Sequence, residues 1–325
     1  MINEIEVVTF LKSLGQGMSR PVLIMGNDFE EYILKNENID NNGNITKFNC
    51  MFINELLSYQ IGLYLDIPMP EAVIAYVDGQ FCEEDPTIRF SYRFENGKYF
   101  ATKKLKNLEN NILENYDTLF RMNKPRIKQS WNNFIKNIKN KDDIAKILAF
   151  DILIFNFDRL KNEGNILLNS ENEDNRKIYA IDHGHAFGGP QWSENKINIL
   201  SSPKLADCYV QLFMSVVKDF SGGGIMFRAL EQHINLEDLV NHSFLNIVNK
   251  IEAIDEKMID SWIEVIPNEW FVEKEVQVAY YKNFILKQKE LIRHIIQFMA
   301  NNNAFSNYRG GILEWNSKNT KSTTA

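Results

Sequence analysis

Apolar and polar residues alternate in short blocks through the first hundred positions, then settle into three- and four-residue spacing. Glu6-Val7-Val8-Thr9-Phe10 and Pro21-Val22-Leu23-Ile24-Met25 read as strands on either side of a turn that holds Gly15 and Gly17. Gly26-Asn27-Asp28 is a hairpin-type turn. It leads into a further strand, Tyr32-Ile33-Leu34-Lys35, in which Tyr32 and Leu34 alternate with Ile33 and Lys35. Residues 36–49 are polar, rich in Asn and turn-like. Across residues 51–65 Phe52, Leu56, Tyr59 and Leu63 recur at helical spacing, and Pro68 and Pro70 stop that helix. Residues 73–77 read as a strand, Asp78-Gly79 as a turn, and residues 90–100 as a hairpin around Asn96-Gly97.

Beyond residue 105 helical spacing dominates, apart from two short central strands at 165–168 and 177–181. Residues 124–141 carry six Lys or Arg and no acid. They read as a solvated helical face, with a docking surface for an acidic partner as the alternative. Asp142 or Asp143 caps a helix that runs through Ile144, Ile147, Leu148 and Leu153 directly into Asn156. Residues 227–302 contain at least three amphipathic helices, including a long one at 276–299, and residues 318–325 form a polar, frayed end. There is no repeat and no Pro/Gly-rich linker. The pattern predicts an α+β protein of two lobes in one unit, strand-rich over 1–104 and mainly helical over 105–325.

Composition narrows the classes. The chain has 325 residues, 44% of them hydrophobic, enough for a sizeable core without staples. A net charge of −7 argues against a direct nucleic-acid partner, which favours a basic excess. Cys50, Cys82 and Cys208 are far apart and form no CxxC pair, which suits a reducing cytoplasm. The five histidines make no zinc pattern. Residues 1–11 carry Glu4 and Glu6 and lack the apolar run of a signal peptide. The longest apolar run, 147–157, is broken by Asp151 and too short to span a bilayer. The expectation is a soluble cytoplasmic protein with no membrane partner.

The chemistry concentrates in residues 156–187. Asn156-Phe157-Asp158-Arg159 is followed by Asn165-Ile166-Leu167-Leu168 and by Tyr179-Ala180-Ile181-Asp182-His183-Gly184. Phosphoryl transfer uses such a set, in which one carboxylate accepts the proton of the attacking hydroxyl while an amide oxygen and a second carboxylate hold Mg²⁺ on the phosphates of ATP. Asp158 is the candidate base. Asn165 is the preferred metal ligand with Asn162 as its competitor, and Asp182 is the second ligand. One carboxylate with one amide suits Mg²⁺, which completes its shell with phosphate oxygens and water. His183 and His185 read as loop residues, with Phe187 packing beneath. Arg159 has two readings, a contact to phosphate or a structural salt bridge that holds the loop.

Matching parts lie upstream in order. In Leu14-Gly15-Gln16-Gly17-Met18-Ser19 the glycines let backbone N–H groups approach phosphate, and a simple turn is the plain alternative. Lys35, 18 residues after Gly17, can neutralise phosphates as a point charge from the inner side of its strand. Glu55, 20 residues later on the helix at 51–65, can aim that lysine through an ion pair.

This ordered set resembles the HipA-like kinases of the protein-kinase-like superfamily. The resemblance runs through Gly15-Gln16-Gly17, Arg20-Pro21-Val22-Leu23, Tyr32-Ile33-Leu34-Lys35, Asn54-Glu55-Leu56 and Leu65-Asp66-Ile67-Pro68-Met69-Pro70. It continues through the motifs at Asp158, Asn165 and Asp182, over roughly residues 10–190. It implies a two-lobed kinase fold with ATP and Mg²⁺ in the cleft and transfer to a Ser/Thr hydroxyl of a protein substrate. A bacterial toxin–antitoxin or stress setting, with an antitoxin or regulatory protein as partner, belongs to the same implication. So does autophosphorylation in the glycine turn, where Ser19 is the nearest hydroxyl. There are departures. Asn165 lies seven residues after Asp158, where protein kinases place the metal-binding Asn five after the Asp; position 163 is Glu; and the second Asp sits in Asp-His-Gly. These keep open a nucleotide-binding pseudokinase that acts through partner contacts. A small-molecule or lipid kinase of the same fold is a further reading, the lipid disfavoured by the lack of a basic cluster outside 124–141.

Overall fold

The computed structural model describes residues 2–14, 20–41, 44–85, 89, 92–109, 135–161, 165–170, 175–201, 211 and 223–315. In chain order the first half supplies β1 (Asn3–Ser13), β2 (Val22–Gly26), β3 (Glu31–Leu34), β4 (Asn38–Asn41), β5 (Asn44–Lys47), α1 (Met51–Tyr64), β6 (Ala72–Val77), α2 (Gly79–Glu84) and β7 (Gly97–Lys103). Five of the strands close into a barrel in the order β1-β2-β3-β7-β6. Neighbours are antiparallel except at the closing seam, where β1 runs parallel to β6. β1 makes closure possible because it changes partner along its length. Asn3 to Glu6 pair with β6, and from Val7 onward it pairs with β2 through two register shifts, irregularities that bend a strand and increase its twist. The apolar run of β2 is buried at Val22, Leu23 and Ile24, as expected of a strand covered on both faces.

α1 buries ten of its residues, including Asn54, Glu55 and Ser58, because it is enclosed on two sides. The barrel covers one face. The C-terminal half covers the other through Phe52 against Trp270 (ring centroids 5.1 Å) and Tyr64 against Trp262 (5.7 Å).

The second half is helical around one hairpin. α3 (Asp143–Leu153) leads through a turn to the short α4 (Asp158–Lys161), then to β8 (Ile166–Ser170) and β9 (Arg176–Ala180), which pair antiparallel from Ile166↔Ala180 to Ser170↔Arg176. α5 (Glu194–Ser201), α6 (Gly223–Leu230), α7 (Leu245–Glu252), α8 (Glu256–Glu264) and α9 (Lys274–Asn301) follow. α9 buries Tyr281, Phe284, Ile285, Gln288, Ile292, Ile295, Ile296 and Met299 at three- and four-residue steps, the stripe that faces a core. Among the described residues no helix is long and apolar enough to cross a membrane. The strand-rich first half and helical second half are those expected of an α+β, two-lobed arrangement.

Several local expectations are corrected. The polar stretch 36–49 contains the two-stranded hairpin β4–β5, its turn residues serving as hairpin termini. Gly79 opens a helix, not a turn, and residues 92–96 are not strand, so only β7 survives of the hairpin expected at 90–100. Asp142 sits at the N-cap of α3 in helical conformation and makes no side-chain cap bond there. α3 stops at Leu153, short of Asn156, because Phe155 turns with φ +53°. Of the basic stretch only 135–141 is described, and it forms turns, not a helical face.

Candidate active site

Three elements far apart in sequence meet at Lys35. The side chain leaves the end of β3 and is buried, and its Nζ donates to Glu55 on α1 and to Oδ1 of Asp182 at 3.0 Å. Asp182 follows β9 with φ +60°, a left-handed conformation that Asp tolerates better than most residues. The two carboxylates differ in access. The Glu55 side chain is 3% exposed and that of Asp182 37%, so a solute reaches Asp182 while Glu55 stays internal. Burial pulls the Lys35 amine down, but the charges of Asp182 and then Glu55 more than offset it and hold the lysine above its ordinary value. Burial alone would raise the Glu55 carboxyl, yet Lys35 and His183 keep it below the usual carboxylate range. At neutral pH this is a buried, charged pair with an accessible third member.

A second cluster positions Asp158. Arg159 is buried and donates to Asp151 through Nε (2.7 Å to Oδ2) and Nη2 (3.2 Å to Oδ1), and through Nη1 to the carbonyls of Asn165 and of Ile181 (2.9 Å). One guanidinium therefore ties α3 to the start of β8 and the end of β9. Asp151 also accepts from Asn156 Nδ2 (3.1 Å), whose own Oδ1 accepts the Asp158 N–H (3.2 Å). With its donors committed in the interior, Arg159 shows the second of its two readings, a structural salt bridge, here to Asp151, that holds the loop. The half-buried Asp158 accepts from Asn165 Nδ2 at 2.7 Å. The Asn165 carbonyl also accepts the Ile181 N–H at 3.1 Å, so Asn165 and Asp182 belong to one small framework.

His183 joins the two clusters. Its Nε2 lies 2.8 Å from Arg159 Nη2. Because guanidinium only donates, Nε2 accepts and the ring proton sits on Nδ1, which lies 3.8 Å from Glu55 Oε2. The His183 backbone N–H donates to the same oxygen at 3.1 Å. Burial pushes the imidazole pKa down, consistent with a neutral ring. His183 is thus a loop residue, as its sequence position suggests, but a buried one that connects the two clusters. Gly184 beside it is required by space, since a Cβ there would lie 2.7 Å from Met51 Cγ and 3.4 Å from Glu55 Oε1. Phe187 does pack beneath, against Tyr281 and Phe284.

Of the candidate residues, Lys35, Glu55, Asp182, Asp158 and Asn165 are connected, directly or through His183 and Arg159. Gly15, Gln16, Gly17, Ser19 and Asn162 lie outside the described residues. The Leu14 N–H donates to the Pro21 carbonyl at 3.1 Å just before β2. Sequence reasoning missed Asp151 and Asn156. The signal for Asp151 was a lone carboxylate inside an apolar helix, and for Asn156 an amide directly before Phe157-Asp158. Among the described residues no group of three or more His, Cys, Asp or Glu side chains is assembled for a metal. A pocket beside Arg159 is lined by residues including Ile144, Leu148, Ile166, Ile178 and Phe227, and not by Lys35, Glu55 or Asp182.

No curated protein matches the chain at a significant level. Among solved structures it is similar to the Helicobacter pylori proinflammatory kinase CtkA, with TM-score 0.51 and 17% identity over 94% of this chain and 98% of that one, a likeness of fold. A MAP kinase of Leishmania major, LmaMPK10, aligns at 12% identity over 97% and 90% of the two chains, with a TM-score of 0.27 that is too low to bear on the fold. The profile described as HipA-like kinase matches residues 7–202, well over half of the sequence. The chain belongs to the HipA-like kinase family.

Proposed function

We propose that this kinase transfers the γ-phosphate of ATP, with Mg²⁺, to a Ser or Thr hydroxyl of a protein. The observation that carries this reading is the double engagement of Lys35, held by Glu55 and by Asp182, 147 residues away. A lysine so placed is aimed and kept charged, as a phosphate-neutralising group must be. The donor set fits the metal. Asp182 offers an accessible carboxylate and Asn165 an amide, all-oxygen ligands of the hard type Mg²⁺ prefers. When bound, the metal and triphosphate supply the transferable group and the neutralisation of its charge. The chain's residues supply position. Lys35 orients phosphate oxygens, Glu55 orients Lys35, and Arg159 and Asn156 fix the backbone at Asp158. The Asp158 carboxylate orients the acceptor hydroxyl and takes its proton. Catalysis in this reading is alignment and electrostatics.

The acceptor class, the toxin–antitoxin setting and a regulatory protein partner rest on family resemblance. Purified protein incubated with γ-labelled ATP and Mg²⁺, alone and with host lysate, tests them together. Label on Ser or Thr of a lysate protein or of the chain itself supports the reading. Stabilisation by ATP with no transfer to any acceptor contradicts it and favours a nucleotide-binding pseudokinase. For self-modification, intact mass rises by one phosphate in the wild type and not in Ser19→Ala. A phosphate retained in that variant rules out Ser19.

A further inference from the structure

The turn after Asp182 is held from beneath by a buried polar cluster that the phosphotransfer reading does not use. Asn54 is the neighbour of Glu55 on α1. Its Nδ2 donates to the carbonyls of Gly184 (2.7 Å), Ala186 (3.0 Å) and Gly189 (3.0 Å). Its Oδ1 accepts from Lys196 Nζ (3.1 Å) and from the Tyr281 hydroxyl (2.7 Å). Lys196, near the start of α5, also donates to the Gly189 carbonyl at 2.7 Å and stands 5.0 Å over the Tyr281 ring. Asn54 and Lys196 are both 0% exposed.

Lys196 is unusual in its company. Among the described residues no carboxylate pairs with it. The titratable groups facing it are the Cys50 thiol at the head of α1 and the Tyr281 hydroxyl on α9. Burial brings its amine down to about 7, with Cys50 acting weakly the other way. A buried amine without an anion is costly, and apolar side chains of similar volume fill such space with less penalty. What lysine supplies is a set of N–H donors that converge on Asn54 and Gly189 from α5. Adjacent residues of α1 thus divide the work, Glu55 holding Lys35 and Asn54 holding the turn that presents Asp182.

We propose that Lys196 is a positioning residue for phosphotransfer. Through Asn54 and the Gly189 carbonyl it fixes the turn 183–189, and so fixes Asp182 against Lys35. The inference rests on the reading of the site given above.

The test is Lys196→Met in the full chain, read by amide exchange, thermal melting and kinetics. The expected result has three parts. Amides of the turn, Ala186 and Gly189 first, exchange at least about tenfold faster. The melting temperature stays at or above that of the wild type, because an unpaired amine has left the interior. The kcat falls at least about tenfold while KM for ATP changes less than about threefold. Unchanged exchange in the turn, or melting temperature and activity falling together as in ordinary core damage, would overturn the proposal. Tyr281→Phe removes only the hydroxyl that bonds Asn54 and the Cys50 thiol, and guards against misfolding of the first variant. It should speed exchange of the same amides, and wild-type exchange there counts against the cluster. If the wild type transfers no phosphate, the role in phosphotransfer falls with that reading, whereas the exchange result still decides whether Lys196 holds the turn.

Discussion

At Lys35 one ammonium satisfies a buried and an accessible carboxylate, and neither could be replaced without disturbing the other two groups. Glu55→Gln keeps the shape and removes the charge that centres Lys35. Misplacement of this kind costs about 10²-fold in rate, so kcat in the label-transfer assay should fall by that order with the fold intact by circular dichroism. A wild-type rate would remove Glu55 from the site. Arg159 acts through structure. Arg159→Ala would leave the buried Asp151 carboxyl without its ion-pair partner, a loss of about 3–5 kcal/mol, seen as a lower midpoint in urea unfolding. A loss below about 1 kcal/mol would be the behaviour of a surface pair and would contradict the scaffold role. Lys196 gives a pH signature. Burial brings its folded-state pKa to about 7, below the 10.5 of an ordinary lysine, so between those values the unfolded chain binds more protons. Stability from this residue therefore rises with pH across that window, by up to about 1.4 kcal/mol per pH unit, and is flat below it. In urea unfolding from neutral to mildly alkaline pH, the stability of the wild type relative to Lys196→Met should rise with this slope, the buried thiols contributing alike to both.

Among the elements, α1 decides the geometry, since it carries Glu55 toward the barrel and Asn54 toward the turn. Its outer surface is braced by the C-terminal half. Trp270 packs on Phe52 and its Nε1 donates to the Lys98 carbonyl on β7 at 2.9 Å, and Gln277 Nε2 lies 3.4 Å from Cys50 Sγ at the head of the helix. The helices beyond residue 250 thus stiffen the element that aims Lys35. Trp270→Ala should cost about 3–5 kcal/mol, the range for emptying a large aromatic site, and should speed amide exchange in α1. Exchange confined to residues near 270 would show that the brace does not reach α1. The limits of sequence reading lie at this scale. α1, β3 and α9 were legible from their periodicity, and β2 and β6 from their short apolar runs. The hairpin β4–β5 and the helix α2 were not, because Asn, Asp and Gly serve turns and strand ends alike, and partner strands settle which. The bracing role of the C-terminal helices leaves no local trace, since it depends on which apolar stripe finds which neighbour.

Across the whole molecule, a barrel, a hairpin and a helical half bring residues 35, 55, 158, 165 and 182 into one connected set. The order of those residues was readable in the chain. Their connectors were not, because Asp151, His183 and Asn54 look in sequence like a helix interruption, a loop residue and an ordinary polar helix position. Only tertiary contact reveals that Arg159 turns inward and that His183 spans the two clusters. The account's central claim is that this set performs phosphotransfer with Asp158 at the acceptor. Its most direct test compares γ-phosphate transfer by the wild type and by Asp158→Asn, with ATP affinity measured alongside. The account predicts a rate lower by about 10²–10⁴, the usual worth of a positioned base, with ATP affinity nearly unchanged. An Asp158→Asn protein that transfers phosphate at the wild-type rate would contradict it.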